Sequence, residues 1–390
     1  MSDVKRRLDG GLHVDSQNEF GSTALIRASA NGQKAVCELL ITRGCNLDLQ
    51  DMNGNTALIW ASGNGHKAVC ELLIACRCNF DIQNKDGQTA LMYASIKGHE
   101  AVCELLITRG CNLNMQSEYG VTALIWACRE GHKAVCELLI THGCNVDMQD
   151  KNGYTALIDA SHNGHVAVCE LLITRGCNLD IQDKYGNTAL IAACREGHEA
   201  VCELLITHGC NVDMQSKNGT TALILASRNG RVAVCELLIT HGCNVDMQNK
   251  DGNTALIWAC RENQKAVCEL LITRGCNVDM QNSNCGSTAL IWGSRLCHEA
   301  ICELLITRGC DVDMRQNDGD TALIKACRYG CIPIIIALIE AGCAFSLRDR
   351  NGKSGMDWLR EKWPGKVKQV QVSRSPTAVV THSLTHLEQK

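Results

Sequence analysis

Proline and phenylalanine are almost missing from this sequence, at three residues each in 390, and aromatic residues of all kinds make up 4%. Proline breaks helices, so its scarcity leaves long stretches open to helix. Neither sign of charge dominates. A formal net charge of −4 argues against a general nucleic-acid-binding or anionic-membrane-binding surface. Long apolar runs are also absent: the longest, Ile332 to Ile339, falls well short of the roughly 20 residues needed to cross a bilayer. The opening MSDVKRRLDGG lacks the apolar stretch of a secretory signal. The expectation is a soluble, cytoplasmic chain.

What the sequence has in abundance is itself. The anchor TALI, or a one-letter variant of it, begins at Thr23, Thr56, Thr89, Thr122, Thr155, Thr188, Thr221, Thr254, Thr288 and Thr321. Every step is 33 residues except the 34 from Thr254 to Thr288. A fixed period of this size marks a solenoid, whose units cannot bury their apolar faces alone and must stack on their neighbours. The period therefore predicts one elongated domain, overriding the two or three globular domains that length alone suggests.

Residues 122–154 show the physics of one unit. Thr122 stands where a hydroxyl can cap the first turn of a helix. At roughly 100° per residue, Leu124, Ala127 and Cys128 share one side of that helix, and Trp126, Arg129 and Glu130 the other. Gly131 permits a tight turn. A second helix from His132 places Val135, Cys136, Leu139 and Ile140 on one stripe and ends at Gly143, the residue suited to left-handed closure. The following stretch, Cys144 to Gly153, has no helical period and ends in the Asn-Gly pair of a tight hairpin turn.

This unit resembles the ankyrin repeat, whose pattern is approximately G-x-T-P-L-H-x-A-A-x-x-G-H-x-x-V-V-x-L-L-L-x-x-G-A-D-V-N. The resemblance runs in register over nearly the whole chain and implies an all-α solenoid of helix-turn-helix units with projecting β-hairpin loops. Ala and Ile replace the family's Pro and His in TPLH, which implies loss of the bonds that this His makes between repeats. Asp147 and its counterparts replace the family's hairpin Asn, which only Asn114 keeps.

Residues 1–17 read as an N-terminal half-repeat that caps the stack, with Val4 and Leu8 in the places of the second-helix Cys and Ile. Ten full repeats follow over 18–348, then a degenerate capping repeat over 349–372 and a disordered tail over 373–390. Arg77 replaces a closing glycine, which predicts a local loss of stability. The extra residue of the ninth repeat lies within Ser283–Ser287, so that hairpin tip is expected to bulge. In the tenth, Pro333 sits near the start of the second helix, where proline is tolerated.

The 27 cysteines suggest a disulfide framework or a metal protein until they are placed in register. Nine occupy the CELLI position, as Cys136 does, and ten follow the closing glycine or its equivalent, as Cys144 does. Equivalent positions in adjacent units lie about 8–10 Å apart, as packed helices do, beyond the roughly 7 Å that a disulfide spans. They read as small buried apolar residues that stay reduced. His-x-x-x-Cys recurs at His66/Cys70, His99/Cys103, His132/Cys136, His165/Cys169, His198/Cys202 and His298/Cys302. It offers two candidate ligands per unit with a core-facing thiol, so neither a metal nor any other cofactor is expected. His198-Glu199-Ala200 lacks the second histidine of a metalloprotease helix. No phosphate loop or nucleophile set stands apart from the repeat, and the chain reads as no enzyme. In the tail, Ser373-Arg374-Ser375-Pro376 is a short motif of the kind that phosphorylation uses.

Variation inside near-identical repeats points to function. The residue after TALI is Arg27, Trp60, Tyr93, Trp126, Asp159, Ala192, Leu225, Trp258, Trp292 and Lys325 in turn. In the ankyrin family this side of the first helix, with the hairpin tips, forms a concave partner-binding surface. The resemblance thus implies a monomeric scaffold or adaptor that binds a protein through Trp60, Tyr93, Trp126, Trp258 and Trp292, with Asp159 adding polar selectivity. Phe20, Tyr119, Tyr154 and Tyr185 vary at the tips beside the turn glycines. Trp and Tyr are enriched among residues that dominate binding energies. The alternatives are rings that merely cover a neighbouring hairpin, a structural spacer whose length is its function, and a thiol-rich redox or metal buffer.

Overall fold

The computed structural model describes residues 5, 6 and 9–372, and its regular structure is helical. Twenty helices form ten pairs, from Ala24–Ala30 to Ile332–Glu340. In every repeat the anchor threonine accepts the backbone N–H three residues on, as Thr122 does from Ile125 at 3.2 Å. That bond satisfies one of the amides a helix start leaves unpaired. In the fourth repeat the helices are Ala123–Arg129 and Lys133–Thr141, and Gly131 between them is left-handed at φ 76°. Gly143 closes the pair at φ 84°.

Leu124, Ile125, Ala127 and Cys128 of the first helix and Val135, Cys136 and Leu139 of the second are buried, and the counterparts in other repeats are too. Each Leu- or Ile-sized side chain removed from water contributes about 1.5–3 kcal/mol. Much of that burial comes from the adjacent pair, because within each of the two compact units successive first helices pack on one another and so do successive second helices. Packing divides the chain into two compact units, Met1–Cys210 and Asn211–Lys390, where the period alone predicts one elongated domain.

The projecting loops are turns without a ladder: among the described residues there is no β-strand, only an isolated bridge between Arg348 and Ser354. Side chains take the bonds that a ladder would use. Asp51 Oδ1 accepts the N–H groups of Asn53 and Asn55, both at 2.9 Å, and holds the tip closed within its own repeat. Backbone bonds then join tip to tip, as Lys85 N–H donates to Asn53 O at 3.0 Å. A ladder of glutamines reinforces them: Gln50 Nε2 donates to Gly54 O at 2.6 Å and to Gln83 O, one period on, at 3.0 Å. The carboxylate of Asp48 accepts the N–H of Asn79 at 2.9 Å, and Asp147 does the same for Asn178. The family's usual hairpin Asn is thus replaced by a residue that still links adjacent repeats.

The bonds expected to vanish with the TPLH histidine are supplied by another one. His132 Nε2 lies 3.0 Å from Ile96 O of the preceding repeat, and its ring covers Gly98 so closely that a Cβ there would approach it to 2.7 Å. His66, His99, His165 and His198 repeat the arrangement.

The exceptions fit the same frame. Arg77 takes the glycine's place at φ 65°, as Asn263 and Cys297 do at two turn glycine positions. The inserted residue of the ninth repeat widens its tip by one, with Asn282 N–H reaching Ser287 O instead of a carbonyl four residues on. Asp15 and Gln17 bond to Asn46 N–H and Gln50 O, so the start of the chain occupies the place of a preceding tip. At the other end, Gly355–Lys362, a short 3-10 turn and Val367–Val372 form the terminal cap. Val4, Leu8 and the tail 373–390 lie outside the described residues.

Candidate partner-binding face

The residue after TALI is half-buried or exposed in seven repeats and buried at Asp159, Ala192 and Lys325, so its surroundings differ from repeat to repeat. Trp60 is half-buried and donates its indole N–H to Asp51 Oδ2 at 2.8 Å. Tyr93 is held likewise, its hydroxyl accepting from Asn84 Nδ2 at 3.3 Å, and burial pushes its pKa up. Trp126, Trp258 and Trp292 are half-buried as well, but their indole N–H groups are buried without an acceptor. Beside Trp60 an open groove is lined by Phe20, Ile26, Arg27, Asn31 and Met52.

Asp159 departs from expectation. It is 5% exposed, so it is not an open polar group available for selectivity. Arg129 of the preceding repeat reaches it through Nε at 3.1 Å and Nη2 at 2.8 Å, while the same guanidinium lies 4.7 Å from the centre of the Trp126 ring. Burial raises the Asp159 pKa despite that arginine. At the tips, Tyr119 and Tyr185 are 62% and 55% exposed, whereas Tyr154 is half-buried. Lys184 Nζ sits 5.0 Å over the Tyr185 ring.

The arginine three residues beyond the variable position was not singled out from the sequence, although i,i+3 spacing puts it on the same helix face. In the second unit these arginines interleave with the rings. Arg228 and Arg261 lie 4.7 and 4.3 Å from the Trp258 centroid, and Arg261 and Arg295 lie 4.5 and 5.1 Å from that of Trp292. Toward the end of the chain the pattern turns inward. Lys325 and Arg328 both bond the buried Asp320 carboxylate, and Arg328 continues to Asp349 at 3.0 Å and to the Trp358 ring at 4.5 Å.

The nineteen cysteines placed by register are buried and form no disulfide. Burial pushes the thiols of Cys70 and Cys103 up to about 11 and about 12, which leaves little thiolate near neutrality. No three His, Cys, Asp or Glu side chains converge as a ligand set among the described residues. Cys297 and Cys331, which lie off the two register positions, form a disulfide with Cα atoms 5.6 Å apart.

Residues 2–83, 63–150, 133–216, 200–282 and 267–349 each match the family model described as ankyrin repeats, three copies. The chain belongs to the ankyrin-repeat family. Ankyrin repeats are generally protein–protein interaction modules, and this ankyrin-repeat chain carries half-buried rings on its first helices and exposed Tyr119 and Tyr185 at its tips. A comparison with curated proteins returns no match. No helix of the described residues is long and apolar enough to cross a membrane.

Proposed function

We propose that this ankyrin-repeat chain is a non-enzymatic scaffold or adaptor, monomeric and cytoplasmic, that binds a partner protein over the exposed side of its first helices. Trp60, Tyr93, Trp126, Trp258 and Trp292 anchor the partner, and Tyr119, Tyr154 and Tyr185 extend the contact along the tips. One observation carries this reading: the rings stand at a helical position that changes from repeat to repeat, each half-exposed and several fixed by in-chain contacts. A ring already held in place loses little freedom on binding, which favours affinity. The cytoplasmic assignment draws on the many buried thiols that form no disulfide.

The test is affinity capture from the source cell with the wild-type chain and with a variant that replaces the five anchor aromatics by alanine, both checked for equal melting. Selective loss of partners in the variant is expected. Identical partner sets would sink the assignment, and no partner for either chain would favour a spacer. The spacer reading draws on the glutamine ladder and tip-to-tip bonds, which repeat regardless of the variable residue.

A further inference from the structure

Along the first helices, two arginines are neutralised by buried carboxylates of the chain. Arg129 is held by Asp159, and Arg328 by Asp320 and Asp349. Arg195 bonds the side-chain oxygen of Asn187 at 2.7 Å. The stretch from Arg228 to Arg295 is different. Arg228 has Glu262 at 3.6 Å, in a pair that both partners expose, while Arg261 and Arg295 form no ion pair among the described residues. Their guanidinium groups rest instead on Trp258 and Trp292. Three cations therefore share one face with one carboxylate. The rings hold the guanidinium groups in place, and the forked donors of Arg261 and Arg295, suited to carboxylate oxygens, meet no carboxylate among the described residues.

We infer that this face of the seventh to ninth repeats binds an extended acidic segment of a partner protein, whose Asp or Glu carboxylates pair with Arg228, Arg261 and Arg295. This rests on the scaffold reading and names the partner's chemistry. Repeats stacked about 9 Å apart match three residues of extended chain at about 3.3 Å each. The ligand thus carries an acidic residue at every third position. Arg129 with Asp159 shows a carboxylate seated on an arginine of the same register. A single-stranded nucleic acid suits the face less well. Trp258 already carries two guanidinium groups and Arg261 lies against both rings, so little aromatic face is left for a base to stack on.

The experiment titrates the full chain with a fluorescein-labelled Glu-Gly-Ser repeat peptide of about twelve residues, long enough to span three repeats. A Gln-Gly-Ser peptide and an oligouridylate of equal length serve as comparison probes. The acidic peptide should bind the wild-type chain, and binding should weaken as salt is raised. The Arg261→Gln, Arg295→Gln double variant should weaken it by about tenfold or more. Arg274→Gln with Arg308→Gln, which removes equal charge from the ends of the second helices, should change it less than about twofold. Arg261→Lys with Arg295→Lys should retain part of the binding, since charge survives while the fork is lost. Equal binding of the two peptides, no binding of the acidic one, indifference to the Gln variant in a chain that melts normally, or tighter arginine-dependent binding of the oligouridylate would each overturn the assignment. If captured partners still depend on the five aromatics while the acidic peptide fails, the scaffold reading stands and this inference alone falls.

Discussion

Trp60 donates its indole N–H to Asp51 Oδ2 at 2.8 Å, and nine residues likewise separate Trp358 from its acceptor Asp349. The same spacing sets Asn249 before Trp258. There Asn249 Oδ1 accepts from Asp251 and Asn253, which leaves an amide nitrogen where Asp51 offers an oxygen, and the Trp258 N–H is buried without an acceptor. Asn249→Asp is nearly isosteric and replaces that nitrogen by an acceptor. It should stabilise the chain by about 1 kcal/mol, read as a higher urea midpoint by tryptophan fluorescence. The reverse change, Asp51→Asn, should cost about 1–3 kcal/mol by turning the acceptor into a donor. An unchanged or lower midpoint for Asn249→Asp would show that the indole N–H was already satisfied.

The turn histidines tie repeats together through a contact that only glycine permits. Gly98 is left-handed at φ 70°, and a Cβ there would lie 2.7 Å from His132 Nδ1. Gly98→Ala should therefore cost about 2 kcal/mol, strain and collision acting together. His132→Ala should cost about 1 kcal/mol through loss of its bond to Ile96 O. With the imidazole gone the added methyl has room, so the double variant should cost less than the sum of the singles. Strict additivity would show that the ring and the glycine do not act on one another.

Cys297 and Cys331 occupy this glycine and histidine pair in the ninth and tenth repeats, which explains why they bridge while register cysteines do not. Of 27 cysteines, 2 are bridged, so alkylation of the unfolded chain without reductant should modify 27 − 2 = 25 thiols, and all 27 after reduction. Cys297→Gly with Cys331→His should restore the pair used elsewhere and melt above the reduced wild-type chain. Modification of 27 thiols before reduction would remove the bridge.

Most of the fold is legible because the chain states its local chemistry ten times: a threonine cap, an apolar stripe and, in all but the Arg77 repeat, a closing glycine at nearly fixed intervals. The variable ring position is legible too, since Trp126 and its counterparts stand out against constant neighbours. Asp159 was misread as exposed because its partner, Arg129, lies 30 residues earlier and belongs to another repeat. A helical wheel sees one helix at a time. The disulfide escaped for the same reason: Cys297 and Cys331 are 34 residues apart, and only the contact between a turn glycine and the next repeat's histidine shows that those places touch. Arg261 shares a helix face with Trp258 in sequence, but its second ring, Trp292, is a neighbour only in the stack.

The terminal cap should loosen in acid before the first helix of the fifth repeat does. Burial alone would raise the Asp349 pKa, but hydrogen bonds from Lys353 N–H, Trp358 Nε1 and Asn351 N–H, with the charge of Arg328, hold it below its usual value. Asp357 is lowered by the Ser354 hydroxyl and backbone N–H in a capping box. Both groups are more acidic folded than unfolded, so their stabilisation is complete above the unfolded value of about 4 and is lost as pH falls below it. Asp159 has the opposite sign: its raised pKa makes protonation favour the folded state, so it does not contribute to acid loss. Hydrogen exchange between about pH 5 and 3 should therefore show protection falling in Gly355–Lys362 before Ala156–His162. Asp357→Asn should weaken the cap at neutral pH and flatten its acid dependence. Simultaneous loss in both helices, or an acid response that Asp357→Asn leaves unchanged, would show that these two carboxylates do not set the cap's acid limit.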